Sequence, residues 1–397
     1  MKKNELKLLA SRAVNKIGNV VYDYGNSSWI VSLGPMAQRY LGYYQLAENL
    51  ISLFLNPIGG AVADRFKRRK ILLVTDFVGG LMCLLLALIG TDQTMLYGLI
   101  SVNAILAISH AFSGTSFRSY VVTLVEKDRL VDFNAKLEVI SQIISISSPL
   151  LAFLFVDRFG LKPTLLLDSL TFFLSFTLLF SIRHKEKHVE EPRQAASVGA
   201  ILRDIREGLL FIFHEKEVFF LLVVAALVNF FIAAYNYLIP FSNHLFSDSS
   251  SYATLLSMGA AGSILGALLA KKLFQNSHTS LLLSLALSGM GLALITPLAL
   301  LGLPAIIIST GNLIFECFLT IFNIHFFSMV QKKVPNELLG RVFSSIFTVA
   351  VIFMPLATSL MTALPFSVHI LTFAVLGLAI LLMSGLAFLY SRLNLNE

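Results

Sequence analysis

Residues 42–90 read GYYQLAENLISLFLNPIGGAVADRFKRRKILLVTDFVGGLMCLLLALIG and contain two apolar runs, 42–63 and 70–90, on either side of a basic stretch. Each run has about the ~20 helical residues that are needed to cross the hydrocarbon core of a bilayer. Neither run shows the alternation of apolar and polar residues that is typical of membrane β-barrel strands. The stretch therefore predicts two membrane-spanning helices joined by a short basic loop.

The rest of the chain repeats this pattern. Of its 397 residues, 56% are hydrophobic and 13% are charged, whereas about 25% of the residues in a soluble domain are charged. Ten further runs of similar length are predominantly apolar: about 10–34, 93–117, 137–157, 162–182, 218–243, 252–270, 281–301, 304–330, 342–364 and 366–391. We therefore expect an all-α integral membrane protein with twelve transmembrane helices.

The basic residues indicate how these helices are oriented. With twelve spans and both termini cytoplasmic, all but three of the 30 Lys and Arg residues lie on the cytoplasmic side, which agrees with the positive-inside rule. The three exceptions are Arg39, Arg158 and Lys162. The net charge of +7 then reflects topology and attraction to anionic membrane lipids, so we expect no nucleic-acid partner. The expected location is a bacterial plasma membrane, which the chain crosses many times.

The chain also contains an internal repeat. Asparagines recur 209 or 210 positions apart in the pairs Asn19/Asn229, Asn26/Asn236 and Asn103/Asn312. We expect two six-helix pseudo-symmetric halves, 1–182 and 218–397, and a cytoplasmic linker at 183–217 that carries an amphipathic surface helix. In transporters, parallel repeats of this kind place the substrate site between the halves near the bilayer midplane.

Polar side chains inside the predicted spans are candidate functional residues, because inserting them into a bilayer is costly. Those predicted to face a central cavity are Asn19, Asp23, Asn26, Glu48, Asn103, His110, Asn229, Tyr235, Asn236, Asn312 and Glu316. An asparagine in such a position also serves to bond neighbouring helices, and both roles stay open at this point. No Lys or Arg lies at the predicted depth of Asp23 or Glu316. These two carboxyls, together with Glu48, are therefore candidates to carry a proton or to bind a cation.

Other acidic residues and the cysteines indicate structural roles. We expect Asp76 and Glu138 to pair with loop cations and Asp168 to pair with Lys162. The two cysteines stand apart in apolar runs, without the spacing of a zinc site or of a disulfide framework. We expect no metal and no cofactor.

The loop at 60–69 reads GAVADRFKRR and resembles the G-x-x-x-D-R-x-G-R-R signature of the major facilitator superfamily, with Lys67 in place of the second glycine. The resemblance extends over the whole chain, because it comes with twelve predicted spans and a duplicated half. It implies a secondary active transporter in which this loop acts as a conformational latch and Asp64 faces the N-terminus of a later helix. The residues that the resemblance assigns to the latch are Gly60, Asp64, Arg65, Arg68, Arg69, Gly340 and Arg341.

Two further strings, VEKDRL at 125–130 and VPNELLGRVFS at 334–344, are similar to those of the macrolide-efflux and enterobactin-exporter branch of this family. That resemblance implies alternating access and proton-coupled efflux of an amphipathic small molecule or drug such as a macrolide. The chain departs from drug/proton antiporters in having Ser148 and Pro149 where they carry a Gly-Pro-rich motif. It also lacks their buried arginine in the fourth helix. We expect the transporter to be a monomer.

Other functions share these features. An exporter or flippase-like transporter of a lipid, siderophore or peptide would have the same pattern, and so would a non-transporting receptor of the same fold. We do not expect an enzyme, because no cluster of His or acidic residues stands at a predicted membrane face. The Gly-Lys dipeptide of a nucleotide-binding P-loop is absent from the sequence.

Overall fold

The computed structural model describes residues 2–90, 92–126, 129–183, 198–273, 277–334 and 339–394, and it is helical throughout these ranges, with no strand in them. The helices before the linker are α1 (Lys3–Ser32), α2 (Ala37–Arg65), α3 (Arg68–Ala87), α4 (Asp92–Leu124), α5 (Leu130–Phe159) and α6 (Leu161–Phe180), and α7 (Val198–His214) lies in the linker. Those of the C-terminal part are α8 (Lys216–Leu238), α9 (Ser242–Leu245), α10 (Ser251–Leu273), α11 (His278–Leu300), α12 (Ala305–Lys333), α13 (Leu339–Ala363) and α14 (Leu371–Asn394).

Many of these helices suit a bilayer. Within the described ranges, nine helices are long and apolar enough to cross a membrane, namely α3, α4, α5, α6, α8, α10, α11, α12 and α14. The long helix α1 is outside this set and carries several polar residues in its middle, among them Asn15, Lys16, Asn19, Asp23 and Asn26. The predicted all-α membrane class is confirmed, whereas the number of twelve crossings and the cytoplasmic position of the termini stay predictions.

The chain divides into two compact units, Met1–Leu202 and Arg203–Glu397. In the first unit α1 packs against α5 and α6, α2 against α4, and α3 against α4 and α6. In the second unit α8 packs against α13 and α14, α10 against α12, and α11 against α12 and α14. Each helix of the first set thus has a counterpart with the same neighbours in the second, which is the packing that a duplicated sequence would produce.

Glycines allow α10 and α12 to pack with their backbones in close approach. A Cβ atom at Gly262 would lie 2.2 Å from the carbonyl oxygen of Leu313, and one at Gly266 would lie 2.2 Å from that of Cys317. Small residues at helix contacts are typical of membrane proteins, in which van der Waals packing drives helix association. The α10/α12 contact therefore depends on glycine at both positions.

A cluster of apolar side chains packs together at the end of the first unit that the sequence assigns to the cytoplasm. Its fully buried members include Leu8 of α1, Tyr120 of α4 and Phe133 of α5. Beside the cluster, the almost completely buried carboxylate of Glu5 accepts a hydrogen bond of 2.7 Å from Arg129. The start of α1 is thereby fixed to the segment that joins α4 and α5.

The linker between the two predicted halves contains a helix, α7 (Val198–His214), where the sequence predicts an amphipathic one. Arg203 and Arg206 are exposed and Ile212 is fully buried, so that α7 presents a polar and an apolar side. Residues 184–197 of the predicted linker lie outside the described residues. The domain bounds and the surface position of this helix stay predictions.

Candidate transport site

Asp23 and Glu48 form an acidic pair in the first unit. Asp23 stands on α1 and Glu48 on α2, and both side chains are exposed. The Asp23 carboxylate interacts electrostatically with those of Glu48 and Asp168. Among the described residues, no Lys or Arg forms an ion pair with Asp23 or Glu48. The pair is a concentration of negative charge, which a bound proton or cation would reduce.

Two asparagines bond to the helix that carries Glu48. Asn103 of α4 donates a hydrogen bond of 3.0 Å to the backbone oxygen of Tyr44 and lies within hydrogen-bonding reach of the Glu48 carboxylate. Asn26 of α1 donates to the Tyr44 hydroxyl at 3.3 Å. Both asparagines are buried, and Asn26 Oδ1 accepts no hydrogen bond within the described part of the chain. These contacts join α1, α2 and α4, and they fix the position of Glu48.

A further acid of this unit, Asp76 of α3, is buried and bonded by neutral groups. Its Oδ1 accepts a hydrogen bond of 3.1 Å from Asn15, and its Oδ2 accepts one of 2.5 Å from Ser175. Asn19 donates in turn to Asn15 at 3.1 Å, and Arg12 of α1 interacts electrostatically with Asp76. The cation near Asp76 is therefore Arg12, which belongs to helix α1, and not a residue of a loop as predicted. Asn19 belongs to this structural network, which α1, α3 and α6 share.

Asp168 of α6 is completely buried. Its carboxylate accepts hydrogen bonds of 3.3 Å from the Cys83 thiol and from the Thr171 hydroxyl. The predicted pairing with Lys162 is wrong: Lys162 is exposed at the start of α6, whereas the Asp168 side chain packs against Gly18 of α1, where a Cβ atom would lie 2.3 Å from Oδ1. Lys162 and Asp168 are close in the sequence of α6, but they do not lie on the same face of the helix.

The exposed acid Glu138 of α5 accepts a hydrogen bond of 2.6 Å from Gln142, one turn further along its own helix. It also interacts electrostatically with Lys16 of α1. As with Asp76, the cation is a helix residue rather than the predicted loop residue.

The second unit contains a matching polar cluster. The Tyr235 hydroxyl of α8 donates to Asn312 Oδ1 at 2.7 Å, and Asn312 Nδ2 donates to the backbone oxygen of Leu255 at 2.7 Å. One turn further along α12, Glu316 is half-buried and accepts a hydrogen bond of 3.3 Å from Ser263. Tyr235 interacts electrostatically with Glu316. The structure therefore brings Tyr235, Asn312 and Glu316 together.

Asn229, Asn236 and His110 are the remaining candidate residues. Asn229 donates to the backbone oxygen of Ala225, one turn earlier in its own helix, at 2.9 Å. Asn236 and His110 are exposed, and His110 interacts electrostatically with Arg12. The hydrogen bond of Asn229 is the local type that an asparagine forms in any membrane helix, so it assigns no role in transport.

Most of the predicted latch lies outside the residues whose side chains are described. These are Gly60, Asp64, Arg65, Gly340 and Arg341. Arg68 donates to the backbone oxygen of Ser119 at 3.0 Å and to the Thr123 hydroxyl at 2.6 Å. Arg69 donates to the backbone oxygens of Leu179 at 3.0 Å and of Phe180 at 2.5 Å. Both arginines bind the C-terminal ends of helices, where cations are favourable, so they connect the start of α3 to α4 and α6.

A cavity between α1, α4 and α5 is a feature that the sequence did not reveal. It has a volume of about 530 Å³, and Arg12, Lys16 and Arg118 are among the residues that line it. From the sequence these residues were counted only as cytoplasmic charge. The spacing of Arg12 and Lys16, one helical turn apart on α1, is the signal that could have placed them on one face.

The described residues of both units lack a metal-binding cluster. Within the described residues, no group of three or more His, Cys, Asp or Glu side chains is arranged to hold a metal ion. The arrangement instead offers exposed carboxyls beside amides, which suits proton binding and hydrogen bonding to a polar solute.

The sequence pattern of the Major Facilitator Superfamily matches residues 24–358, which is most of the chain. The chain belongs to this family. With its apolar helices, the protein is therefore a multi-pass membrane transporter of the major facilitator type and not an enzyme.

Relatives of known name or structure agree with this assignment. An uncharacterised transporter of the same type from Bacillus subtilis, YkuC, is 24% identical over 239 residues, which are 58% of this chain and 53% of YkuC. The match thus spans about half the length of that relative. A bacterial homologue of the iron transporter ferroportin, in its inward-facing state, has a TM-score of 0.73 at 16% identity and covers 97% of this chain and 98% of its own. A variant of the nucleoside transporter NupG has a TM-score of 0.74 at 14% identity and covers 97% of this chain and 100% of its own. At such identities the structural likeness shows the fold alone.

Proposed function

We propose that the protein is a secondary active transporter that works by alternating access and exports an amphipathic small molecule, such as a macrolide, in exchange for protons. The observation that carries the proton coupling is the exposed pair Asp23 and Glu48, whose carboxylates repel each other and have no ion-pair partner among the described residues. A transporter that couples to protons needs carboxyls that water can reach and that change charge during the cycle. Asp76 and Asp168 do not fit this role, since both are buried.

Glu316 is the corresponding candidate in the second unit. It is half-buried, its hydrogen bond from Ser263 is long at 3.3 Å, and it stands one turn from Asn312. A carboxyl held by one long hydrogen bond can gain or lose a proton without breaking a network. Tyr235 and Asn312 beside it are buried and bonded to each other, so they keep α8 and α12 together next to Glu316.

The test uses purified protein in liposomes with erythromycin as the probe. We expect Asp23→Asn, Glu48→Gln and Glu316→Gln to reduce erythromycin transport driven by a pH gradient, while exchange of labelled for unlabelled erythromycin without a gradient continues. Exchange requires substrate binding and alternating access but no net proton movement, so it separates coupling from binding. The matched control is Asp157→Asn, which removes an exposed carboxylate of α5 outside the acidic pair.

Each component of the proposal has its own contrary result. Gradient-driven transport that is unchanged in all three variants would place the coupling elsewhere. Absence of erythromycin exchange by the wild-type protein would exclude this macrolide as a substrate, and it would leave the role of the carboxyls to be measured with another amphipathic solute.

A further inference from the structure

The cavity between α1, α4 and α5 is lined by three cationic side chains. Arg12 and Lys16 come from α1 and Arg118 from α4, while Glu138 is the one acid among the described residues that line it. Arg12 and Arg118 are close enough to repel each other electrostatically. Lys16 donates a hydrogen bond of 2.5 Å to Ser141 of α5, and the Arg12 guanidinium lies 5.0 Å from the centre of the Phe117 ring.

The positive charge of this cavity exceeds its negative charge. Among the described residues, no carboxylate forms an ion pair with Arg12, Lys16 or Arg118. Asp76 lies near Arg12 but is bonded to Asn15 and Ser175, and even with its charge included the cations remain in excess. A cavity lined by an excess of one sign of charge concentrates ions of the opposite sign, so this cavity attracts anions.

We propose that this cavity binds the phosphate group of an amphipathic organic phosphate. A phosphate monoester carries about −1.5 to −2 charges at pH 7, which the cationic excess of the cavity would attract, and two planar guanidinium groups suit the tetrahedral oxygens of phosphate. The cavity of about 530 Å³ leaves space for an organic body beside that group, and its lining includes Phe117 and Ile144. The site uses neither Asp23 nor Glu48, so the proposal does not depend on whether these carboxyls carry protons.

The phosphate group could belong to a soluble metabolite or to a lipid, and two probes distinguish these sources. Binding of phenyl phosphate and of 1-oleoyl lysophosphatidic acid to the full-length protein in neutral detergent is measured by microscale thermophoresis. Phenol and mono-oleoylglycerol serve as uncharged counterparts. We expect at least one phosphate probe to bind, and its uncharged counterpart to bind at least about tenfold more weakly, the loss that corresponds to one charge-assisted hydrogen bond.

Substitutions test whether the phosphate probe binds in this cavity. We expect Arg118→Gln and Lys16→Gln each to weaken the phosphate probe at least about tenfold, whereas Arg158→Gln, which removes an exposed cation from the end of α5, leaves it unchanged. Arg118 is exposed, so its substitution should not affect folding, and the melting temperature of each unliganded variant checks this. Binding of phenyl phosphate alone would assign the site to soluble phosphates, and binding of the lysolipid alone would assign it to a headgroup. Failure of both probes to bind, or equal binding by Arg118→Gln and wild type, would overturn the proposal.

Discussion

Asn103 and Asn312, 209 positions apart in the sequence, each donate a side-chain hydrogen bond to a backbone oxygen of the second long helix of their own unit. Asn103 donates to Tyr44 at 3.0 Å and Asn312 to Leu255 at 2.7 Å. The bond joins α4 to α2 in the first unit and α12 to α10 in the second. A carboxyl of the proposed coupling, Glu48 or Glu316, lies near each bond. The same polar contact therefore positions Glu48 in one unit and Glu316 in the other.

The first prediction concerns Asn312. Replacing it with alanine removes two hydrogen bonds of 2.7 Å and leaves the buried Tyr235 hydroxyl without its acceptor. We expect Asn312→Ala to lower the free energy of unfolding by about 1–2 kcal/mol, measured as the loss of helical signal on unfolding in mixed micelles. The control Asn229→Ala removes only a bond within one helix and should change the free energy of unfolding by less than about 0.5 kcal/mol. Equal effects of the two substitutions would contradict the interpretation that Asn312 joins α10 and α12.

The second prediction concerns the close approach of α10 and α12. A Cβ atom at Gly262 would lie 2.2 Å from the backbone oxygen of Leu313, and a backbone atom cannot move aside without separating the helices. We expect Gly262→Ala to destabilise the protein by about 2–3 kcal/mol, observed as a lower midpoint of thermal unfolding in detergent. Gly385→Ala is the control, since nothing lies within 4 Å of a Cβ atom there. This change should be neutral or slightly stabilising because alanine favours helix. A midpoint that Gly262→Ala leaves unchanged would show that the helices can separate at little cost.

How far the sequence predicts the structure depends on the kind of signal. Apolar runs predict the helices because each span is decided by its own composition, and the offset between Asn103 and Asn312 predicts that both occupy equivalent positions. Hydrogen-bond and ion-pair partners on different helices are harder to predict from the sequence, because they depend on how each helix is rotated about its axis. Asp168 was expected to pair with Lys162, yet its bonds come from Cys83 and Thr171. The cavity around Arg12 was missed for the same reason, since its lining comes from three helices far apart in the sequence.

The third prediction tests the network around Asp76. Asparagine in its place can still accept a hydrogen bond from Asn15 or Ser175, whereas alanine leaves both buried partners without an acceptor. We expect Asp76→Ala to cost about 2–3 kcal/mol of stability and Asp76→Asn to cost less than half as much. The measurement is the midpoint of thermal unfolding of the purified protein in detergent. If the two variants melt at the same temperature, the negative charge of Asp76 near Arg12 matters more than its hydrogen bonds.

The fourth prediction compares two ion pairs at the start of α1. Glu5 is 2% exposed and accepts a hydrogen bond from Arg129 at 2.7 Å, whereas Lys2 and Glu126 form a pair whose side chains are 60% and 58% exposed. Removing one partner of a buried pair leaves an uncompensated charge, so Arg129→Ala should cost about 3 kcal/mol of stability. Lys2→Ala should have no measurable effect, because solvent screens an exposed pair.

The carboxylate of Glu5 provides the decisive comparison. If Arg129→Ala destabilises the protein because it leaves the Glu5 charge uncompensated, the loss of stability should be smaller when Glu5 has already been changed to Gln. Glutamine is chosen because it still offers an acceptor to the Lys2 backbone N–H, which donates to Glu5 at 2.9 Å. A double-mutant cycle over thermal unfolding midpoints measures this coupling. We expect Glu5→Gln to recover more than half of the loss caused by Arg129→Ala. Additive effects of the two substitutions would instead mean that Arg129 stabilises the α4–α5 segment through its own packing and that the buried carboxylate is compensated by another group.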